Sequence, residues 1–140
     1  MQEVTGNIIA GKLTKKYPFD AGQDVYSNEE KWIYPRDSEI IHTGLFIEVP
    51  KGFVGLLWPR SGLSCNNKIE VGAGCIDYGY KDEVMVHLYN NSRSAFHILP
   101  GMKITQLLTI PVVTLPYRQV KTWTEATERE LNGFGSSGNF

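Results

Sequence analysis

The chain has 140 residues, 41% of them hydrophobic, and 14 Lys and Arg against 15 Asp and Glu give a formal net charge of -1. That length suits one compact domain burying roughly two-thirds of its unfolded surface, and the balanced charge excludes a wholesale electrostatic partner such as nucleic acid or an anionic membrane. No run of about 18 apolar residues is present to cross a bilayer as a helix, and the start, MQEVTGNIIAGKLTKK, lacks the pattern of a signal peptide, so a cytoplasmic location is expected.

In chain order, residues 6–13 (GNIIAGKL) nearly spell a P-loop, but Leu13 stands where a Mg²⁺-holding Ser or Thr is required, so the match is coincidental. Residues 20–24 (DAGQD) set two carboxylates around a glycine, either a surface turn or a place for hydrated Mg²⁺ bound through phosphates. Residues 45–49 and 53–58 flank Pro50-Lys51-Gly52 and read as a hairpin. A short helix is expected over 61–66, with Ser61 as its N-cap. Residues 71–80 (VGAGCIDYGY) also read as a hairpin, carrying Asp77 and Tyr80 between glycines suited to close backbone approach or positive φ. Val84, Val86 and Leu88 mark one face of a strand over 83–90, residues 95–99 are expected to pair with it, and a last strand is expected over 103–113. From about Tyr117 the periodicity fades. Residues 1–116 are therefore read as an all-β sandwich or barrel and 117–140 as a mobile arm.

Three groups carry chemistry beyond packing. Pro59-Arg60-Ser61-Gly62 joins a strand end to a helix start, offering a planar guanidinium, a hydroxyl and free N–H groups to an anion. Gly133 to Gly138 resembles an idle Gly/Ser tail, except that Phe134 adds a base-stacking ring and Arg129 a guanidinium, the parts needed to cover a nucleoside triphosphate. Cys65 and Cys75 form no CxxC pair and His42, His87 and His97 are scattered, which argues against a protein-held zinc. Asn90-Asn91-Ser92 matches a glycosylation acceptor, relevant only in a secreted chain.

Taken in order, DAGQDV, PRSGLS, VGAGCIDYGY, GMKITQL and RELNGFGSSG resemble the five signature motifs of the trimeric dUTPase family. The resemblance implies a jelly-roll-like distorted β-barrel with one short helix, a homotrimer with interface active sites, and an arm that closes a neighbour's site. It implies hydrolysis of dUTP to dUMP and pyrophosphate with Mg²⁺, which limits uracil incorporation into DNA and supplies dUMP for dTMP synthesis. By the same resemblance Asp77 activates the attacking water, and Gly72, Gly74, Cys75, Ile76, Tyr80 and Phe134 hold base and sugar. Arg60, Ser61, Gly62, Gln106, Arg129, Gly135, Ser136 and Ser137 hold phosphates, and Asp24 meets the metal through water.

Gly79, Met102, Asp82 and Glu130-Leu131-Asn132 depart from the usual motifs; the first is expected to matter little, Met102 and Asp82 to alter local hydrogen bonding, and the last to stiffen the arm. Two other readings compete. A dCTP deaminase-like enzyme shares the barrel and an Ile-Asp-x-Gly-aromatic segment, but needs a glutamate where this chain has His87. A non-catalytic trimeric barrel that regulates or binds a partner protein is the second, and some phage members of the family also act as regulators.

Overall fold

The computed structural model describes residues 3–140. Its elements are β1 (Asn7–Ala10), β2 (Gln23–Tyr26), β3 (Lys31–Ile33), β4 (Ser38–Glu48), β5 (Phe53–Trp58), α1 (Ser61–Asn67), β6 (Ile69–Val71), β7 (Cys75–Ile76), β8 (Val84–Asn90), β9 (Phe96–Ile98) and β10 (Lys103–Pro111). One sheet runs β1-β4-β8-β6 and a second β2-β10-β5-β7, with β3 and β9 forming a separate pair. Ile41, Thr43, Leu45 and Ile47 of β4 and Val84, Val86 and Leu88 of β8 face inward at the two-residue period of a strand covered on one side. All of these but Thr43 join Val25, Leu57 and Leu107 of the other sheet in one apolar cluster, each such apolar side chain contributing about 1.5–3 kcal/mol by leaving water. This is the expected all-β jelly-roll.

The expected hairpins are not hairpins. β4 pairs with β1 and β8 while β5 pairs with β10 and β7, so Pro50-Lys51-Gly52 carries the chain from one sheet to the other. Residues 71–80 do the same: β6 pairs with β8, and β7 with β5. Nor does the segment after β8 return to it. A strand has two hydrogen-bonding edges, and β4 and β6 occupy both edges of β8, so β9 pairs with β3 instead.

Fully buried Asn90 fixes that departure. Its Nδ2 donates to the carbonyls of Ile33 at 2.8 Å and Ser94 at 2.9 Å, and its Oδ1 accepts from the Ser92 N–H at 3.0 Å and the Ser92 hydroxyl at 2.7 Å. A side chain so engaged is no glycosylation acceptor.

The helix extends to Asn67, and its N-cap is Arg60 rather than Ser61, with no side chain capping the first turn. The last strand ends at Pro111, earlier than expected, and residues 112–140 are exposed along their whole length. No helix among the described residues is long and apolar enough to cross a membrane.

Candidate functional site

A cavity of about 380 Å³ lies where the 15–22 segment, β2, β10 and the start of α1 converge. Lys15, Lys16, Arg60 and Lys103 face it together with Asp20 and Asp24, an excess of cationic side chains that suits a polyanion. Asp24 organises it. Its Oδ1 takes Arg60 Nε at 3.3 Å and its Oδ2 takes Lys103 Nζ at 3.3 Å, while Arg60 Nη1 donates to the Lys103 carbonyl at 3.3 Å. Gln106, opposite Asp24 in the β10–β2 ladder, donates Nε2 to the Pro59 carbonyl at 2.9 Å and so ties the loop bearing Arg60 to the sheet. Ser61 and Gly62 are exposed at the cavity rim.

Neither Lys15, Lys16 nor Lys103 stood out in the sequence. Lys103 and Gln106 would point to opposite faces of a regular strand, but the β10–β2 register shifts between Lys103 and Thr105. Such a bulge brings residues of unlike parity to one face.

Asp77 belongs to a different place. Buried Ile76 anchors β7 against Gly55 of β5, and Asp77 follows it into solvent. The Cys75 thiol donates to Asp77 Oδ1 at 3.7 Å; desolvation, then the charge and hydrogen bond of Asp77, push that thiol up and keep it protonated. The Tyr80 N–H donates to the Asp77 carbonyl at 3.1 Å, closing a tight turn in which Gly79 sits at φ +90°. A glycine at that position is thus explained by backbone geometry rather than by charge.

The glycines upstream serve the protein's own packing. A Cβ on Gly74 would stand 2.9 Å from the Leu57 carbonyl oxygen, and one on Gly72 would stand 2.7 Å from the Tyr89 ring and 2.8 Å from His87 Nδ1. The Gly72 N–H is spent on the His87 carbonyl at 2.7 Å and the Gly74 carbonyl on the Leu57 N–H at 2.8 Å. The other edge of β7, the last strand of its sheet, presents unpaired backbone donors and acceptors.

The arm stands apart from both places. Arg129 donates through Nε to the Asn132 carbonyl at 2.8 Å and through Nη2 to that of Gly133 at 3.1 Å. Turns follow at Gly133 to Ser136 and Gly135 to Gly138. Phe134 is wholly exposed, and Gly135, Ser136 and Ser137 with it. Of the departures from the motifs, Met102 packs against the core, Asp82 Oδ1 accepts the Glu83 N–H at 2.7 Å, and Glu130 takes φ +48°.

One chain therefore brings Asp24, Arg60, Ser61, Gly62 and Gln106 together, but not with Asp77 or the arm. Ile76 is opposite Gly55 near the start of β5, whereas Arg60 lies past its end, a displacement of roughly 15 Å along the strand. The two groups also flank β5 on opposite sides, with Arg60 turned toward β10 and β2 and Asp77 carried by β7. Among the described residues, no three His, Cys, Asp or Glu side chains cluster as a metal cage.

A family model described as dUTPase matches residues 10–138. The chain is 38% identical over 121 residues to a deoxyuridine 5'-triphosphate nucleotidohydrolase of Trichodesmium erythraeum, a match covering 85% of this chain and 84% of that protein. It is 36% identical over 143 residues to the enzyme of the same name from fowlpox virus, over 99% of both. The solved structure of Staphylococcus bacteriophage 80alpha dUTPase with dUpNHpp superimposes with a TM-score of 0.88 at 26% identity, covering 96% of this chain and 99% of that one.

Proposed function

The chain belongs to the dUTPase family, and from that premise we propose how its residues divide the hydrolysis of dUTP to dUMP and pyrophosphate. The observation that carries the division is the separation of Arg60 from Asp77 along and across β5. Side chains so placed in one chain do not converge on one phosphate. A homotrimer sharing sites across its interfaces supplies one group from each of two subunits and leaves no half-site over, because closed symmetry repeats the contact.

Asp77 takes the proton of a water whose oxygen bonds to the α-phosphorus, the bond from that phosphorus to the β-bridging oxygen breaks, and pyrophosphate leaves. Its exposed position beside the Cys75 thiol leaves it free to meet a water from the ligand side. Arg60, Ser61 and Gly62 bind the phosphates from the cationic cavity, and Gln106 keeps their loop in place. The open edge of β7 at Cys75 and Ile76 reads uracil as a strand edge reads a partner. Cytosine, with donor and acceptor reversed, leaves buried polar groups unpaired. Tyr80 packs on the sugar, and a neighbour's arm covers the nucleotide with Phe134 on the base and Arg129, Gly135, Ser136 and Ser137 on the far phosphates.

Each Asp24 oxygen already meets one cation, Arg60 or Lys103, and keeps a lone pair for water, so the donor set fits Mg²⁺ that rides on the triphosphate and meets Asp24 through water, not a metal held by protein alone. Bound there, the ion would offset the charge developing on the phosphates.

The deaminase reading is not favoured by the comparisons. His87 lies against Tyr89, ring centroids 4.4 Å apart, and packs beside Gly72 within its own chain. Pyrophosphate release from dUTP, dCTP, dTTP and UTP with Mg²⁺, measured beside the Asp77→Asn variant, tests the whole scheme. Turnover of dUTP far exceeds that of dCTP, dTTP and UTP, and the variant binds dUTP but loses roughly 10²–10⁴ in turnover. Ammonia released from dCTP, or an Asp77→Asn enzyme with full turnover, sinks it.

A further inference from the structure

We propose that Glu83 is the positioning residue for Tyr80, and through that ring sets the preference for deoxyribose over ribose. The inference rests on the reading of Tyr80 as the sugar-facing ring.

The pairing of β4 with β8 shifts register between Ile41 and Leu45, which leaves backbone N–H groups of β4 without ladder partners. The Glu83 carboxylate takes them. Its Oε2 accepts from Gly44 N at 2.8 Å and Thr43 N at 3.1 Å, and its Oε1 meets His42 Nδ1 at 2.8 Å. The Thr43 hydroxyl donates to the Val84 carbonyl and accepts from Leu45 N at 3.0 Å, so the residue after Glu83 is bolted to the same irregularity. A carboxylate with only 18% of its side chain exposed and three donors on it has one orientation.

That side chain fixes its own backbone, and the backbone does the second job. The Glu83 carbonyl accepts the Tyr80 hydroxyl at 2.7 Å, while the Tyr80 N–H is held by the Asp77 carbonyl at 3.1 Å. The residue is held at both ends, its backbone to the turn that carries Asp77 and its ring hydroxyl, through Glu83, to the rigid sheet. Exclusion of a 2′-hydroxyl by shape needs such a wall, because a ring free to tilt by a fraction of its width admits the extra oxygen.

The test compares kcat and KM for dUTP and UTP across wild type, Glu83→Ala, Glu83→Gln, Tyr80→Phe and Tyr80→Ala. Glu83→Ala lowers the dUTP-to-UTP ratio of kcat/KM about 5- to 10-fold, on the scale of one lost hydrogen bond. Glu83→Gln restores most of it, because an amide oxygen still accepts the N–H groups of Thr43 and Gly44. Tyr80→Phe deletes only the hydroxyl that reaches Glu83, leaves the β4 irregularity intact, and reproduces the Glu83→Ala ratio. A Glu83→Ala enzyme that melts earlier with an unchanged ratio, or a Tyr80→Phe enzyme with the wild-type ratio, overturns the inference. If Tyr80→Ala also keeps the wild-type ratio, the sugar-facing reading of Tyr80 fails with it; if Tyr80→Ala loses the ratio while the other variants keep it, only the role of Glu83 fails.

Discussion

The Arg60 guanidinium and the Asp24 carboxylate are joined, Nε to Oδ1, at 3.3 Å. The acid thereby aims the arginine proposed to bind phosphate before any ligand arrives, and it shares its second oxygen with Lys103 at 3.3 Å. Asp24→Ala should release both cations and remove the outer contact to Mg²⁺. Losses of this kind run to about 10- to 100-fold, so a Mg²⁺ titration of dUTP turnover should show that fall in kcat/KM and a higher Mg²⁺ requirement. Since the pair is partly exposed, the melting temperature should barely move. A variant with an unchanged Mg²⁺ requirement contradicts the assignment.

Division of the site between subunits can be read from mixed trimers. Asp77→Asn and Arg60→Ala proteins should each be close to inactive, but when co-refolded at equal amounts they should recover about one quarter of wild-type activity, the chance that neighbouring subunits each bring an intact half. If Asp77 and Arg60 served the same site within one chain, every mixture would remain dead.

Removing the arm should separate activity from stability. No side chain of residues 112–140 is buried in the chain's own barrel, so a protein ending after Glu128 should melt at the full-length temperature. Phe134→Ala should raise KM for dUTP by roughly 5- to 100-fold, the scale of one base–aromatic stack. Fluorescence titration with a nonhydrolysable analogue checks it, and equal affinity in both proteins would refute the stacking role.

The His42–Glu83 contact gives stability a pH window. The hydrogen bond and charge of Glu83 raise His42 above its ordinary 6.5, with a smaller push from Glu29 against Lys31. Burial alone would raise Glu83, but the bonds from His42, Gly44 and Thr43 outweigh it and hold the carboxyl below 4.5. The histidine's contribution is complete below 6.5 and fades as pH climbs through its raised value; the carboxylate's is complete above 4.5 and fades as pH drops through its lowered value. Thermal melts from about pH 6 to about pH 9 should therefore show wild type losing ground to His42→Gln, whose neutral side chain does not titrate. Parallel curves would remove His42 from the account.

Much of this protein was legible in one dimension. Alternation marked the inward faces of β4 and β8, as Val84, Val86 and Leu88 illustrate, and the five motifs supplied Asp24, Arg60, Asp77, Gln106 and Phe134 in chain order. Partners were not legible. Residues 45–58 look like a hairpin because a short Gly-containing turn joins two apolar runs, and nothing local says that the runs enter different sheets. Lys103 and Glu83 escaped notice because bulges in β10 and β4 give them their roles, and a bulge forms against a partner strand that the sequence does not name.

Side-chain chemistry and the in–out phase of each strand are local properties, written into neighbouring residues and recoverable from them. Strand order, the separation of Arg60 from Asp77 across β5, and the anchoring of Tyr80 through Glu83 arise from pairing between distant segments. Each strand edge can be satisfied only once, so those choices are made jointly by the whole chain, and only the folded molecule records them.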